Sequence, residues 1–351
     1  MVPALALADV LAARGHEVAF CGTERGMEKD LVPRAGYPFS LVRIRGFQRK
    51  LGMSTLRTMG SIPVAGVDAW KILRSYKPHC VVGVGAYASG PVVAEAAVRG
   101  IPAVAVEMDA HMGVTNRILS KLVDKVCLSF PRPDLEGAKY VYTGRPLRPA
   151  MLAATREQGL ERFHLDGARQ TLLVFGGSLG ARTLNQAAME AYASTATPFQ
   201  ILHVTGQREY ASVAESLGRP GANPHYQAFP FLDDFPLALA AADAVVGRAG
   251  GSVAEVLARG VPSLLVPYPL AAGDHQTVNA KMVAAEGAAL YVPDVQLDAG
   301  SLSAAVSRLL DPEVNKTMRE AALRLARPDA ADRIADVVVN LVAARAKRDN
   351  D

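Results

Sequence analysis

Aromatic side chains are scarce in this sequence, 6% of the residues with a single tryptophan. Its cores must therefore be filled by Ala, Val and Leu, as in parallel sheets covered on both faces. Cysteine is scarcer. Cys21, Cys80 and Cys127 are odd in number, far apart and without C-x-x-C spacing, which excludes a disulfide framework and a zinc site and fits a reducing compartment. No apolar run reaches the ~20 residues that span a bilayer. Asp9 and Arg14 break the first apolar stretch and no small-residue cleavage site follows, so no signal peptide is read there. Net charge is small as well, +4 over 351 residues, too little to make nucleic acid the main partner. These absences leave a cytosolic protein that meets membranes at its surface or not at all.

The length accommodates two domains of ordinary size, each with its own core. Residues 3–14 carry Pro at the first helical position, apolar spacing from Leu5 to Ala12 and a closing Gly15. The chain thus opens with a helix, and His16 to Phe20 begins a strand. In a βαβ architecture that start is odd, because the strand that should precede the helix, with its phosphate-facing turn, has no residues to form it. Strand patterns recur at Cys80–Val84, Ile101–Val106, Val126–Phe130 and Tyr140–Thr143, with helices at Pro91–Arg99 and Asn116–Leu122. After a proline-containing stretch that ends in Gly144-Arg145-Pro146-Leu147-Arg148-Pro149, strands are expected to start at Leu172, Ile201, Tyr226, Ala244, Leu264 and Ala289, followed by three helices. The pattern predicts an α/β protein of two Rossmann-like parallel-sheet domains, 1–144 and 145–351, whose strand ends face a cleft. The last helix is free to pack back on the first domain, and the tail after Val342 is expected to fray.

Charge is concentrated in one place. Arg43, Arg45, Arg49, Lys50 and Arg57 have no acid among them and alternate with Ile44, Phe47, Leu51, Met53 and Leu56. Such a segment fits an anionic membrane surface, or equally a solvated loop.

Two stretches place polar groups at strand ends. In LLVFGGSLGARTLN, residues 172–185, a strand runs into glycines and then a helix. Glycines let the backbone approach an anion, and the helix directs free N–H groups at it. The loop is neither a Walker motif nor G-x-G-x-x-G, so phosphate rather than a dinucleotide is inferred, although ligand-free turns of this kind are common. In AVVGRAGGSVAEVLARGVPSLLVPYPLAAGDHQTVNA, residues 244–280, a second strand, Gly-rich turn and helix carries Glu255, and the next strand end carries Asp274, His275 and Gln276. Glu255 suits a ribose diol, or simply the positive end of its helix.

These stretches, with TGRPLR, GVGAYASGPVVAEAA and VPALALADVLAARGHEVAFCGTERGMEKDLVPRAGY, resemble the MurG family. Its members are GT-B glycosyltransferases that move N-acetylglucosamine from UDP onto the lipid-linked muramyl-pentapeptide precursor of peptidoglycan, at the cytoplasmic face of the membrane. The likeness runs from Val2 to about Ala289. It implies that Ser178 and the amides around Gly177 and Gly180 hold the donor diphosphate, that Gly250 belongs to the donor site, and that Arg148 reaches the nucleotide. Glu255 would then take the ribose hydroxyls, and His275 and Gln276 the sugar hydroxyls. Glu107 and Asn116 would face the acceptor. The basic segment, with Trp70 and Tyr76, matches the family's membrane-facing region. Helix N-termini and arginine can stabilise the departing UDP, so neither metal nor cofactor is expected.

The sequence also departs from the family. A strand and Gly-Gly-Thr-Gly-Gly-His normally precede the segment matched by Val2, and their His is the favoured base. Met1 is accordingly expected to be a mis-assigned start or a truncation, the alternative being a variant without that loop. In that variant the candidate catalytic residues are His111, Asp109 and Glu107, with His111 the first substitute base to test, although a histidine in such a loop is more often a surface residue. Where the family has His-Glu-Gln-Asn this chain has Val106-Glu107-Met108-Asp109, and Leu179 and Arg145 replace a Gln and an Asn. These changes leave open a related transferase with another lipid or metabolite acceptor, and a catalytically silent UDP-sugar-binding protein.

Overall fold

The computed structural model describes residues 1–24, 26–44, 53–177 and 181–350, apart from the side chains of 53–62, 86, 87, 349 and 350. The chain divides into two units, Met1–Arg148 with Arg327–Asp351, and Pro149–Ala326. Residues 145–148 thus group with the N-terminal unit.

Unit 1 runs α1 (Val2–Ala13), β1 (Phe20–Gly22), α2 (Glu28–Arg34), β2 (Phe39–Leu41), α3 (Met53–Tyr76), β3 (Val81–Gly83), α4 (Ala86–Val98), β4 (Ala103–Glu107), α5 (Val114–Leu119), β5 (Lys125–Leu128) and β6 (Tyr140–Tyr142). Unit 2 continues with α6 (Pro149–Ala153), α7 (Arg156–Arg162), β7 (Thr171–Phe175), α8 (Arg182–Tyr192), β8 (Gln200–Val204), α9 (Gln207–Leu217), β9 (Tyr226–Phe229), α10 (Phe235–Ala241) and β10 (Ala244–Gly247). It closes with α11 (Val253–Ala258), β11 (Ser263–Leu265), α12 (His275–Ala285), β12 (Ala289–Tyr291), α13 (Ala299–Leu310) and α14 (Pro312–Leu325). The chain then returns to unit 1 as α15 (Ala330–Asn350).

Strand pairings among the described residues are all parallel. In unit 2 the order is β12-β11-β10-β7-β8-β9. Successive strands are laid down away from β7 in one direction and then, from β10, in the other. The order therefore reverses between β7 and β10, and that switch point is where an open α/β sheet leaves a crevice outside its carboxyl ends. Both Gly-rich turns lie there. Strands such as β7 (TLLVF) are buried along their whole length, since Leu184, Ala188, Leu302 and Leu309 cover one face and Phe163, Leu239 and Val256 belong to the core of the other.

Unit 1 holds two parallel sheets, β1-β2 and β3-β4-β5-β6. Among the described residues β1 and β3 are each an end strand. Leu7 and Leu11 of α1 and Ile334, Ala335 and Val338 of α15 pack together on Val104, Val106 and Cys127, and Arg14 pairs with Asp332 and Asp336 at 2.7 and 2.6 Å. Beyond this anchoring the helix continues to Asn350 on good helix formers, which corrects the expected fray after Val342. Another correction concerns α4, which starts at Ala86 rather than Pro91. Gly85, at φ +75°, turns the chain out of β3 straight into helix. Burial pushes the Cys21 thiol up to about 11 and those of Cys80 and Cys127 up to about 12, so all three are packing groups.

Arg43 is committed inside unit 1. Its guanidinium forks onto Asp68 of α3 with bonds of 2.9 and 2.7 Å, and its neighbours 45–52 lie outside the described residues. Trp70 and Tyr76 sit on α3, the first beneath the Arg74 guanidinium and the second exposed.

Candidate active site

At the end of β7 the backbone enters the turn through Gly177 with φ +83°, and beyond its chain neighbours no described residue lies within 4 Å of where a Cβ would stand. The need for glycine there is conformational rather than steric. Ser178 and Gly180 lie outside the described residues. The chain resumes at Ala181, which precedes α8, and α8 is held by a buried network. Asn185 donates from Nδ2 to the Thr205 carbonyl at 2.8 Å, so its Oδ1 must accept from His203 Nε2 at 3.0 Å. His203 Nδ1 is then an acceptor and takes the Tyr226 hydroxyl at 2.8 Å. That tautomer follows from the bonding pattern. His203 is fully buried, and burial pushes its pKa down to about 3.

At the end of β10, Ala249 accepts a 3.0 Å bond from the buried Asn279 amide of α12. Gln276, on the first turn of α12, accepts from the Tyr268 backbone N–H at 2.9 Å. Its Nε2 therefore points elsewhere, 3.5 Å from where a Cβ on Gly250 would lie. His275 donates from Nδ1 to the Ala272 carbonyl at 2.7 Å, which leaves Nε2 of the neutral ring as an acceptor. Asp274 adopts the left-handed conformation at φ +55° just before α12 and takes the Thr277 hydroxyl at 2.7 Å. Glu255 stands half-buried on the first turn of α11. Among the described residues, the end of β7 thus leads to Gly177, and the segments after β10 and β11 carry a carboxylate, an amide and an imidazole.

In unit 1, Glu107 ends β4 with its carboxylate turned onto its own loop. It accepts from the backbone N–H groups of Asp109 (3.1 Å) and Gly113 (3.0 Å) and from Asn116 Nδ2 (3.0 Å). Arg145 and Arg132 hold the same loop through the carbonyls of Met108 and Ala110, both at 3.1 Å. Asn116 Oδ1 is buried without a hydrogen-bond partner among the described residues. His111 is exposed, and its Nε2 accepts a 3.4 Å contact from Arg117. A cavity of about 400 Å³ opens beside it, lined by Arg117, Lys121, Arg132, Lys139 and Tyr140. Since Glu107 ties three donors, Glu107→Ala is expected to destabilise the chain by about 2–3 kcal/mol, with Glu107→Gln losing less, as read by thermal denaturation.

Residues 1–128 match the glycosyltransferase family 28 N-terminal domain and 171–334 its C-terminal domain. A Moorella thermoacetica protein named UDP-N-acetylglucosamine--N-acetylmuramyl-(pentapeptide) pyrophosphoryl-undecaprenol N-acetylglucosamine transferase is 40% identical over 353 residues, 97% of this chain and 95% of its own. One of the same name from Halothermothrix orenii is 35% identical over 358 residues, 98% and 95% of the two chains. The crystal structure of Acinetobacter baumannii MurG superposes with a TM-score of 0.79 at 30% identity, covering 97% of this chain and 95% of that one. The chain belongs to the MurG family. Its architecture is that family's GT-B class, two Rossmann-like units.

Of the residues that the MurG resemblance singles out, Gly177, Gly250, Glu255, His275 and Gln276 lie at or just beyond the carboxyl ends of unit 2's central strands. Arg148 ends the first segment of unit 1 and is half-buried. Glu107, His111 and Asn116 share one loop and helix of unit 1. Sequence reasoning missed Arg248, Asp294 and Thr183, which join three strand-end segments of unit 2. The only signal was an arginine in the Gly-rich turn. Among the described residues no cluster of three or more His, Cys, Asp or Glu can hold a metal ion, and no helix is long and apolar enough to cross a membrane.

Proposed function

We propose that the chain transfers N-acetylglucosamine from UDP-N-acetylglucosamine to a lipid-linked muramyl-pentapeptide, inverting the anomeric centre. One observation carries the donor half of this reading. At the switch point of unit 2, β7, which leads to Gly177, pairs with β10, which leads through Gly250 to α11 and Glu255, and Gln276 Nε2 lies beside Gly250. A nucleoside diphosphate sugar needs these groups in this order: amides for the diphosphate, a carboxylate for the ribose diol, donors and acceptors for the sugar. Ser178 and Gly180 complete the diphosphate turn in this reading, and Arg148 reaches the nucleotide.

An acceptor hydroxyl attacks the anomeric carbon, the bond from that carbon to the β-phosphate oxygen breaks, and UDP leaves with charge stabilised by backbone N–H groups. The hydroxyl proton goes to a base, and His111 is the residue to test in that role for a variant without the family's N-terminal histidine loop. Asn116 Oδ1, buried and without a hydrogen-bond partner among the described residues, supports an acceptor-side role, and the basic cavity beside His111 suits an acidic acceptor. Val114, Ile118 and Leu122 are exposed at helical spacing with Arg117 and Lys121 among them, which supports contact with an anionic membrane surface from the cytoplasmic side.

Calorimetry tests the donor assignment. UDP-N-acetylglucosamine is expected to bind saturably and to be displaced by UDP but not by GDP. Absence of saturable binding would overturn the reading.

A further inference from the structure

Donor binding in unit 2 relies on segments from different strands keeping a fixed separation, and one carboxylate joins them. Asp294 follows β12, three places across the sheet from β7. Its Oδ2 accepts from the Thr183 hydroxyl at 3.1 Å, on the first turn of the helix behind the Gly177 turn. Its Oδ1 accepts from Arg248 Nη1 in the β10 turn. The same nitrogen also reaches the carbonyls of Val266 and Pro267 at 3.2 and 3.0 Å, and the guanidinium lies 5.7 Å from the centre of the Tyr268 ring. Tyr268 in turn donates its backbone N–H to Gln276. Thr183, Asp294, Arg248, the 266–268 segment and Gln276 therefore form one connected frame.

Both ends of the ion pair are shielded, with side-chain exposures of 9% for Arg248 and 14% for Asp294. Carbonyls can satisfy the guanidinium's hydrogens but not its charge, so Asp294 is the counter-charge that keeps Arg248 in place. A surface pair would be worth too little to hold three segments in register.

We infer that Asp294 is a positioning residue for the donor: through Arg248 and Thr183 it fixes the distance between the diphosphate turn and the ribose and sugar loops. The inference rests on the donor site proposed above. It predicts a difference that depends on ligand length. Uridine occupies only the ribose side and does not sense that distance, whereas UDP-N-acetylglucosamine spans it and does.

Asp294→Asn in the full chain removes the charge and keeps the shape. By calorimetry it is expected to weaken UDP-N-acetylglucosamine about tenfold and to change uridine, followed by displacement, less than about twofold. Thr183→Val removes a single arm and shifts the same ratio in the same direction by less. It also serves as the test variant if Asp294→Asn melts early. Asp294→Glu, which restores the charge, is expected to recover part of the loss. Equal losses for both ligands, or no loss for either, would overturn the positioning role. Failure of the unsubstituted chain to bind UDP-N-acetylglucosamine would instead remove the donor site on which the inference rests.

Discussion

Glu255→Ala is expected to lower kcat/KM for UDP-N-acetylglucosamine by about two orders of magnitude. A carboxylate that accepts from both ribose hydroxyls makes two charge-assisted bonds, each worth roughly 1.5–3 kcal/mol when the partner is otherwise left unpaired. Glu255→Gln keeps one neutral acceptor and is expected to lose less. Glu255 sits on the first turn of α11, so its removal also costs a favourable helix-end charge, but only about 0.3–1 kcal/mol of stability. A donor lacking both ribose hydroxyls separates the two roles. The native chain and Glu255→Ala should handle that donor equally well, because the interaction is already absent. If Glu255→Ala still slows the dideoxy donor a hundredfold, the residue does something other than read the ribose.

The second large effect concerns stability against pH. His203 is fully buried between Asn185 and Tyr226 as a neutral ring, with its pKa pushed down to about 3 by burial. In the unfolded chain the same group titrates near 6.5. Between these values the unfolded state binds a proton that the folded state refuses, so acidification draws the equilibrium toward unfolding. Stability is unaffected above about pH 7 and falls by about 1.4 kcal/mol per pH unit from this group as the pH drops below 6.5, levelling off near 3. Going from pH 7 to pH 5 should thus remove roughly 2 kcal/mol through His203 alone. His203→Gln lacks the titration, and the difference between its acid sensitivity and that of the native chain isolates the histidine from the carboxylates that also titrate. Circular dichroism in denaturant reads both units, and fluorescence of Trp70, the single tryptophan and a unit 1 residue, provides the internal control. Identical pH slopes for the two proteins would contradict the buried neutral ring.

Local pattern made much of this fold legible. The central strands β7 and β10 of unit 2 are short apolar runs that end at Gly, and β9 starts at Tyr226 as expected. The two Gly-rich turns were visible because glycine and an acid after an apolar run are local signals. What stayed hidden depends on contacts distant in sequence. Arg248 and Asp294 are 46 residues apart, and nothing nearby marks them as a pair. For the last helix the sequence left a return to the first domain open but not the surface used: Ile334 and Ala335 of α15 fit one made by α1, more than 300 residues earlier. Asn185 and His203 could be read as residues but not as a network, since their bonds follow from sheet order. Glu107 shows the reverse case. Its position at a strand end was legible, but not that its carboxylate turns inward to hold the loop from Asp109 to Gly113.

The chain is proposed to add one N-acetylglucosamine to a lipid-linked muramyl acceptor. Mass spectrometry of a short-chain muramyl-pentapeptide lipid, incubated with UDP-N-acetylglucosamine and the chain without added metal, tests it most directly. The predicted result is an acceptor heavier by one N-acetylglucosamine residue, with one UDP formed per product and turnover suppressed by Glu255→Ala. An unchanged acceptor, whether UDP accumulates or the donor remains intact, would contradict it.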